Sequence, residues 1–209
     1  MLRASVQSIT IDEADSYIGG VLQDWPSQWY PTSGNHVLNT ILMRLLTWIF
    51  GMSHLSARGP ALIGAAVYIV ASYRICRLVT EDGHLRVAAL VCLVYNPFVM
   101  DYMVAARGYS LAMAFLMSAI FLVLREFLDT RRERWPRTAA LVSAFVALSF
   151  SANFSFAYID VLCLILFTAW AAQGIYRSEG WRPAIRLIAA AVWPGLLVLL
   201  VFSLSVVVA

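Results

Sequence analysis

Beyond residue 60 the chain is a series of apolar runs separated by short polar breaks. A helix of about 20 apolar residues crosses a bilayer, and runs of that order lie at about 60–80, 86–105, 108–125, 138–153, 155–173 and 185–207. Two are marginal in length, and the pair around Asn153 reads as a tight helical hairpin. The pattern predicts an all-α fold: a polytopic transmembrane bundle of about six helices over residues 60–209, preceded by a loop over residues 1–59.

Val37–Phe50 departs from this pattern. Its fourteen residues are too few to span comfortably. His36, Thr40, Arg44 and Thr47 recur at steps of four, four and three, which puts them in one polar stripe on an otherwise apolar helix. Such a helix lies in the interface. Residues 1–59 therefore read as an outer-face loop carrying interfacial juxtamembrane helices, with Trp25, Trp29 and Tyr30 as an aromatic belt element. Upstream, Ile11-Asp12-Glu13-Ala14 sets two adjacent carboxylates in a short polar stretch. By residue type alone they cap a helix beginning near Ala14, since a helix start favours negative charge. An outward N-terminal segment calls for a preceding span, and residues 1–16 lack the apolar core of a signal peptide. The last run ends at Val206-Val207-Val208-Ala209 without a polar anchor, so the chain reads as the front part of a larger protein.

Composition strengthens the membrane reading: 61% of residues are hydrophobic and 13% charged, with mean hydropathy +0.76. The net charge of +3 matters less than its distribution. All fifteen basic residues are arginine, and eleven fall in three clusters: Arg74, Arg77 and Arg86; Arg125, Arg131, Arg132, Arg134 and Arg137; Arg177, Arg182 and Arg186. They punctuate the apolar runs, as cytoplasmic loops do, and form no single basic face for nucleic acid. With the clusters inside, the six runs alternate consistently. Residues 1–59 and the Asp101–Gly108 junction then face outward, with Asp12, Glu13, Asp15, Asp24 and Asp101 among them. Cys76, Cys92 and Cys163 sit in apolar surroundings without metal or disulfide spacing and read as packing residues. Asp160 falls within a predicted span, where a carboxylate is costly unless paired or facing a cavity. Asn153 lies two turns earlier, and a hydrogen bond between helices is the expected role.

The ordered series Ile11-Asp12-Glu13-Ala14, Trp25-Pro26-Ser27-Gln28-Trp29-Tyr30, Gly34-Asn35-His36-Val37, Ala57-Arg58-Gly59-Pro60, Asn96-Pro97-Phe98 and Ala106-Arg107-Gly108-Tyr109 resembles bacterial glycosyltransferases of the GT-C superfamily. That class includes protein O-mannosyltransferases and lipid A aminoarabinose transferases. The resemblance covers about residues 10–128; beyond that only the hydropathy is similar. Where better-known members have a Pro-Pro or Lys-Pro element, this chain has Asn35-His36-Val37.

The resemblance implies a membrane glycosyltransferase at the non-cytoplasmic face of a bacterial inner membrane. Its donor is a sugar on a polyprenyl phosphate, and its acceptor a lipid, glycan or protein. It implies Asp12 as the base that takes the acceptor proton, with Glu13 orienting the site or helping to hold a divalent metal, the one candidate cofactor. Arg107 supplies a guanidinium fork for the donor phosphate, Tyr109 adds a hydrogen bond, and Arg58 reaches phosphate or lipid head groups. His36 and Asp101 complete a metal or polar site. The rival readings are a transporter or flippase, which would account for Asp160, and a non-catalytic scaffold of the same fold.

Overall fold

The computed structural model describes residues 10–22, 36–129 and 132–207, and within them the fold is helical with no strand. The aromatic segment Trp25–Tyr30, Asp24 and Gly34-Asn35 lie outside the described residues. A short helix α1, Ile11–Tyr17, continues as a π-helical turn over Ile18–Leu22. Then come α2 (Val37–Phe50), α3 (His54–Val79), α4 (Gly83–Val94), α5 (Pro97–Tyr102), α6 (Tyr109–Leu128), α7 (Trp135–Ala152), α8 (Ala157–Glu179) and α9 (Trp181–Val207). Four stretches are long and apolar enough to cross a membrane: His54–Val79, Tyr109–Leu128, Phe154–Glu179 and Trp181–Phe202. The molecule is a polytopic helical bundle.

Two of the six expected runs differ from the hydropathy pattern. The run over 86–105 is broken, because Pro97 has no N–H to continue a ladder and disfavours helical geometry in the residue before it. Asn96 takes the break as a cap, its side chain accepting from Phe98 N–H at 3.0 Å, so α4 ends and the short α5 begins. The run over 138–153 forms α7, a helix of 18 residues interrupted by Thr138, Ser143, Ser149 and Ser151, all buried.

α7 packs against α6, α8 and α9. Two of its serines are tied to neighbouring helices, while Ser151 Oγ donates to the Ala147 carbonyl of α7 itself. Gly195 N–H, one residue after Pro194 in α9, donates to Ser143 Oγ at 2.9 Å, and Ser149 Oγ donates to the Ala112 carbonyl of α6 at 3.1 Å. Small residues and hydroxyls are what helices use to approach closely in a bilayer, where apolar surface alone gives little preference for protein over lipid. At the arginine-rich end, Trp135, Phe167, Ala171, Ile175 and Leu187 form the largest apolar cluster. Arg132 there donates to the Gly174 carbonyl at 3.3 Å, and the Arg74 guanidinium lies 5.8 Å from the centre of the Phe121 ring. The N-terminal helices sit at the opposite end.

α2 is the amphipathic helix expected, with Val37, Leu38, Asn39 and Met43 buried and Leu45, Trp48, Ile49 and Phe50 exposed. Part of its polar stripe is occupied. Arg44 Nε donates to the Gly20 carbonyl, and Thr40 lies so close that a Cβ on Gly20 would come within 2.7 Å of its methyl. The stripe thus docks the turn after α1.

α3 and α6 cross where Gly64 meets the backbone of Ser110 and Leu111, and Ser110 Oγ donates to the Ala61 carbonyl at 2.6 Å. A Cβ on Gly64 would lie 2.7 Å from Leu111 N, against backbone that cannot swing aside. We expect Gly64→Ala to push α3 from α6 and destabilise the protein by about 1–3 kcal/mol, the usual cost of overpacking. Thermal unfolding in detergent measures this, and an unchanged midpoint would refute close α3–α6 packing.

Candidate functional site

Thr10-x-x-Glu13 is a helix-start signature, and here it closes as a complete capping box. Glu13 N–H donates to Thr10 Oγ1 at 3.3 Å, while Thr10 N–H donates to Glu13 Oε2 at 2.9 Å. α1 therefore begins at Ile11, not near Ala14. Glu13 then does more than cap. Its side chain is 3% exposed and meets Arg58 of α3, which is 2% exposed. Arg58 Nε donates to Oε1 at 3.1 Å and Nη2 to Oε2 at 3.0 Å, and Ala106 N–H adds a bond to Oε1 at 2.7 Å. Burial alone would raise the Glu13 carboxyl. Hydrogen bonds from Arg58, Thr10 and Ala106 overcome that effect and hold it at about 2.

A cavity of about 270 Å³ opens beside this pair, lined in part by Asp12, Glu13, Arg58, Asp101, Tyr102 and Arg107. Asp12 precedes Glu13 on the helix and points the other way, with its side chain 59% exposed. It meets Arg107, 33% exposed, at 2.6 Å from Nη2 to Oδ2. Arg107 stands in the tight turn between α5 and α6, which Gly108 ends. A side chain at Gly108 would collide with the Ala152 carbonyl at the end of α7, so the missing Cβ is what lets the turn seat against the bundle.

The residues named from the sequence separate into a front and a back. Asp12, Glu13, Arg58, Asp101 and Arg107 line the cavity. Arg58 has its guanidinium committed to Glu13. His36 and Tyr109 sit behind: the His36 ring is buried with its centre 5.7 Å from that of Tyr109, and Tyr109 stacks on Tyr102 at 4.4 Å. Burial first, and then the charge of Arg107, pull the His36 imidazole down to about 4, against a hydrogen bond to the Ala152 backbone that pulls the other way. It is a neutral ring at neutral pH. Thr10 and Tyr102 also line the cavity and escaped the sequence reading. The capping-box spacing could have marked Thr10; nothing but its place beside Asp101 marks Tyr102.

For a divalent metal, the fit is poor within the described residues. No group of three or more His, Cys, Asp or Glu side chains converges there. Both Glu13 oxygens already accept hydrogen bonds, and His36 lies behind the cavity wall. No step below is routed through a metal.

Away from the cavity, Asp160 is fully buried at the start of α8, and neither of its oxygens has a hydrogen-bond partner among the described residues. Asn153, the nearest polar residue before it in sequence, does not bond to it. Asn153 instead uses Oδ1 to cap the turn before α8, accepting from Ser155 N–H at 2.9 Å.

The Glu13–Arg58 pair sets a pH dependence. The folded-state carboxyl sits at about 2, below its ordinary value of 4.5. Its contribution is therefore complete above about 4.5, falls as pH drops through the interval, and is gone below about 2. The shift corresponds to roughly 3 kcal/mol. We expect the unfolding temperature in detergent to fall from pH 5 to pH 3 more steeply for wild type than for Glu13→Gln. That variant should already be destabilised at pH 7 by roughly 3–5 kcal/mol, because it removes the carboxylate that faces a buried guanidinium. Equal slopes would show that Glu13 does not carry this dependence.

No protein-family model, no curated protein and no solved structure matches this chain.

Proposed function

We propose that the protein is a membrane glycosyltransferase of GT-C type. It would move a sugar from a polyprenyl-phosphate donor to a lipid, glycan or protein acceptor at the non-cytoplasmic face of a bacterial inner membrane. The observation that carries this reading is the pairing of an exposed carboxylate, Asp12, with a guanidinium, Arg107, in one cavity at the arginine-poor end of an apolar bundle. Glycosyl transfer from a phosphate calls on both groups within reach of one sugar. The carboxylate takes the acceptor proton as the new bond forms, and the guanidinium holds the leaving phosphate.

The surroundings support a lipid-linked donor. At about 270 Å³ the cavity is smaller than the roughly 300–1,000 Å³ typical of sites that enclose whole ligands, so it suits a head group whose tail lies outside. Phe98 and Met100 on α5 are 76% and 38% exposed, next in sequence to the cavity residues Asp101 and Tyr102. They offer an apolar path for a prenyl chain leading away from the head group. Glu13 and Arg58 act as positioning residues, fixing the helix that presents Asp12 against the turn that presents Arg107.

In nanodiscs, with a polyprenyl-phosphate-linked sugar as donor, Asp12→Asn should lower transfer by roughly 10²–10⁴-fold, the usual cost of losing a general base. Undiminished transfer would remove Asp12 from the chemistry and leave it a surface residue of α1. Arg107→Lys keeps the charge and loses the planar fork, and it should weaken donor binding by about 1–3 kcal/mol. Full affinity in the lysine variant would sink the phosphate role, since a residue that only anchors the turn has no use for the fork.

A further inference from the structure

The two arginines of the cavity use the same guanidinium edge in different ways. Arg58 commits both Nε and Nη2 to the two oxygens of Glu13, a complete bidentate pair shielded from water. Arg107 gives Nη2 to a single oxygen of Asp12, while its Nε is covered and has no hydrogen-bond partner among the described residues. The first pair is closed on all sides; the second is a one-point contact between partly exposed groups, and such pairs contribute little. Asp12 also occupies the edge of Arg107 where a phosphate would bind.

We propose that the Asp12–Arg107 pair is a latch that the donor itself opens: the phosphate displaces Asp12 from Arg107 and so frees the carboxylate to act as base. The proposal rests on the reading of Arg107 as the phosphate anchor. A phosphate can accept from more than one N–H of the guanidinium, where Asp12 takes only that of Nη2, so the exchange replaces a single contact with a multiple one. In the empty site Asp12 is held against Arg107, with Oδ2 occupied by Nη2. Once the phosphate is seated, Asp12 loses that partner, and the released oxygen can turn to the acceptor hydroxyl when a donor is present.

In the transfer step the bond from the sugar C1 to the phosphate oxygen breaks, and its electron pair stays on that oxygen. A bond from the acceptor oxygen to C1 forms, and the acceptor proton passes to Asp12. The leaving polyprenyl phosphate then carries one more negative charge, which Arg107 faces. When it departs, Asp12 gives up its proton to water and returns to Arg107. Glu13 takes no part, because its oxygens are already filled.

The latch makes an unusual demand: removing the base must improve binding. The test is calorimetric titration of the full-length protein in nanodiscs with farnesyl phosphate, a short prenyl phosphate. Because Asp12 is exposed on α1, Asp12→Asn and Asp12→Ser both remove the competing charge, and either suffices if the other does not fold. Each should bind the probe about two- to fivefold more tightly than wild type, the gain expected when a weak competing pair is removed. In an Arg107→Ala background, which itself binds weakly, the gain should vanish. A gain of equal size in that background would mean general charge repulsion, and unchanged or weaker binding in the Asp12 variants would mean no competition. Either result overturns the latch while leaving Arg107 as an anchor. If Arg107→Ala binds farnesyl phosphate as well as wild type, the phosphate site itself falls, and the proposed function with it.

Discussion

Everything at the cavity end of the molecule is referred to the buried Glu13–Arg58 pair. Two charges shielded from water are costly, and the cost is offset only when every lone pair and N–H finds a partner. Here the partners are supplied by three separate parts of the chain. Thr10 comes from the start of α1, Arg58 from the second turn of α3, and the Ala106 N–H from the turn ahead of α6. The carboxylate is therefore the point at which a short helix with little hydrophobic surface of its own is joined to the bundle. α1 has seven residues, and a helix that short has no independent stability in water. Its position is imposed by this carboxylate and by the docking of the following turn on α2.

Function then depends on a division of labour between neighbours. Asp12 and Glu13 are adjacent, so on a helix their side chains point about 100° apart. One enters the bundle and becomes fixed; the other remains at the cavity rim, largely exposed. The same division holds for the arginines, one buried in a bidentate pair, the other a third exposed with its Nε unused among the described residues. A rigid pair placed behind a labile pair is what a site needs if it must hold its geometry while its charges rearrange.

Much of this was legible in the sequence, and the failures have definite causes. Apolar runs carry the helical bundle because hydropathy is a local property that averages well over a window. The break at Asn96-Pro97 was written in plain residue chemistry, yet hydropathy averaged across it smooths it away. Asp12, Arg107 and Asp101 could be named as candidates through the family resemblance. Their pairing could not: the bond from Glu13 to Arg58 spans 45 positions and that from Glu13 to Ala106 spans 93, distances over which a single chain shows no periodicity. The role of Arg58 was missed for this reason, since a residue at the start of a span looks like a head-group anchor until its buried partner is known. Tyr102 has no signature, and its importance lies only in which ring it stacks upon.

The hydroxyls of α7 bear on how the molecule is made. With Thr138, Ser143, Ser149 and Ser151 in a single helix, α7 has a weaker claim on the lipid than α6, α8 or α9, and it falls outside the segments apolar enough to cross unaided. Thr138, Ser149 and Ser143 bond to groups on α6 and α9, partners that lie on both sides of α7 in the order of synthesis. Insertion of α7 is thus a cooperative event. The segment emerges beside α6, which is already in place, and gains its last polar partner only when the Pro194-Gly195 region of α9 arrives. Until then the nascent chain holds a helix whose residence in the bilayer depends on a neighbour not yet translated.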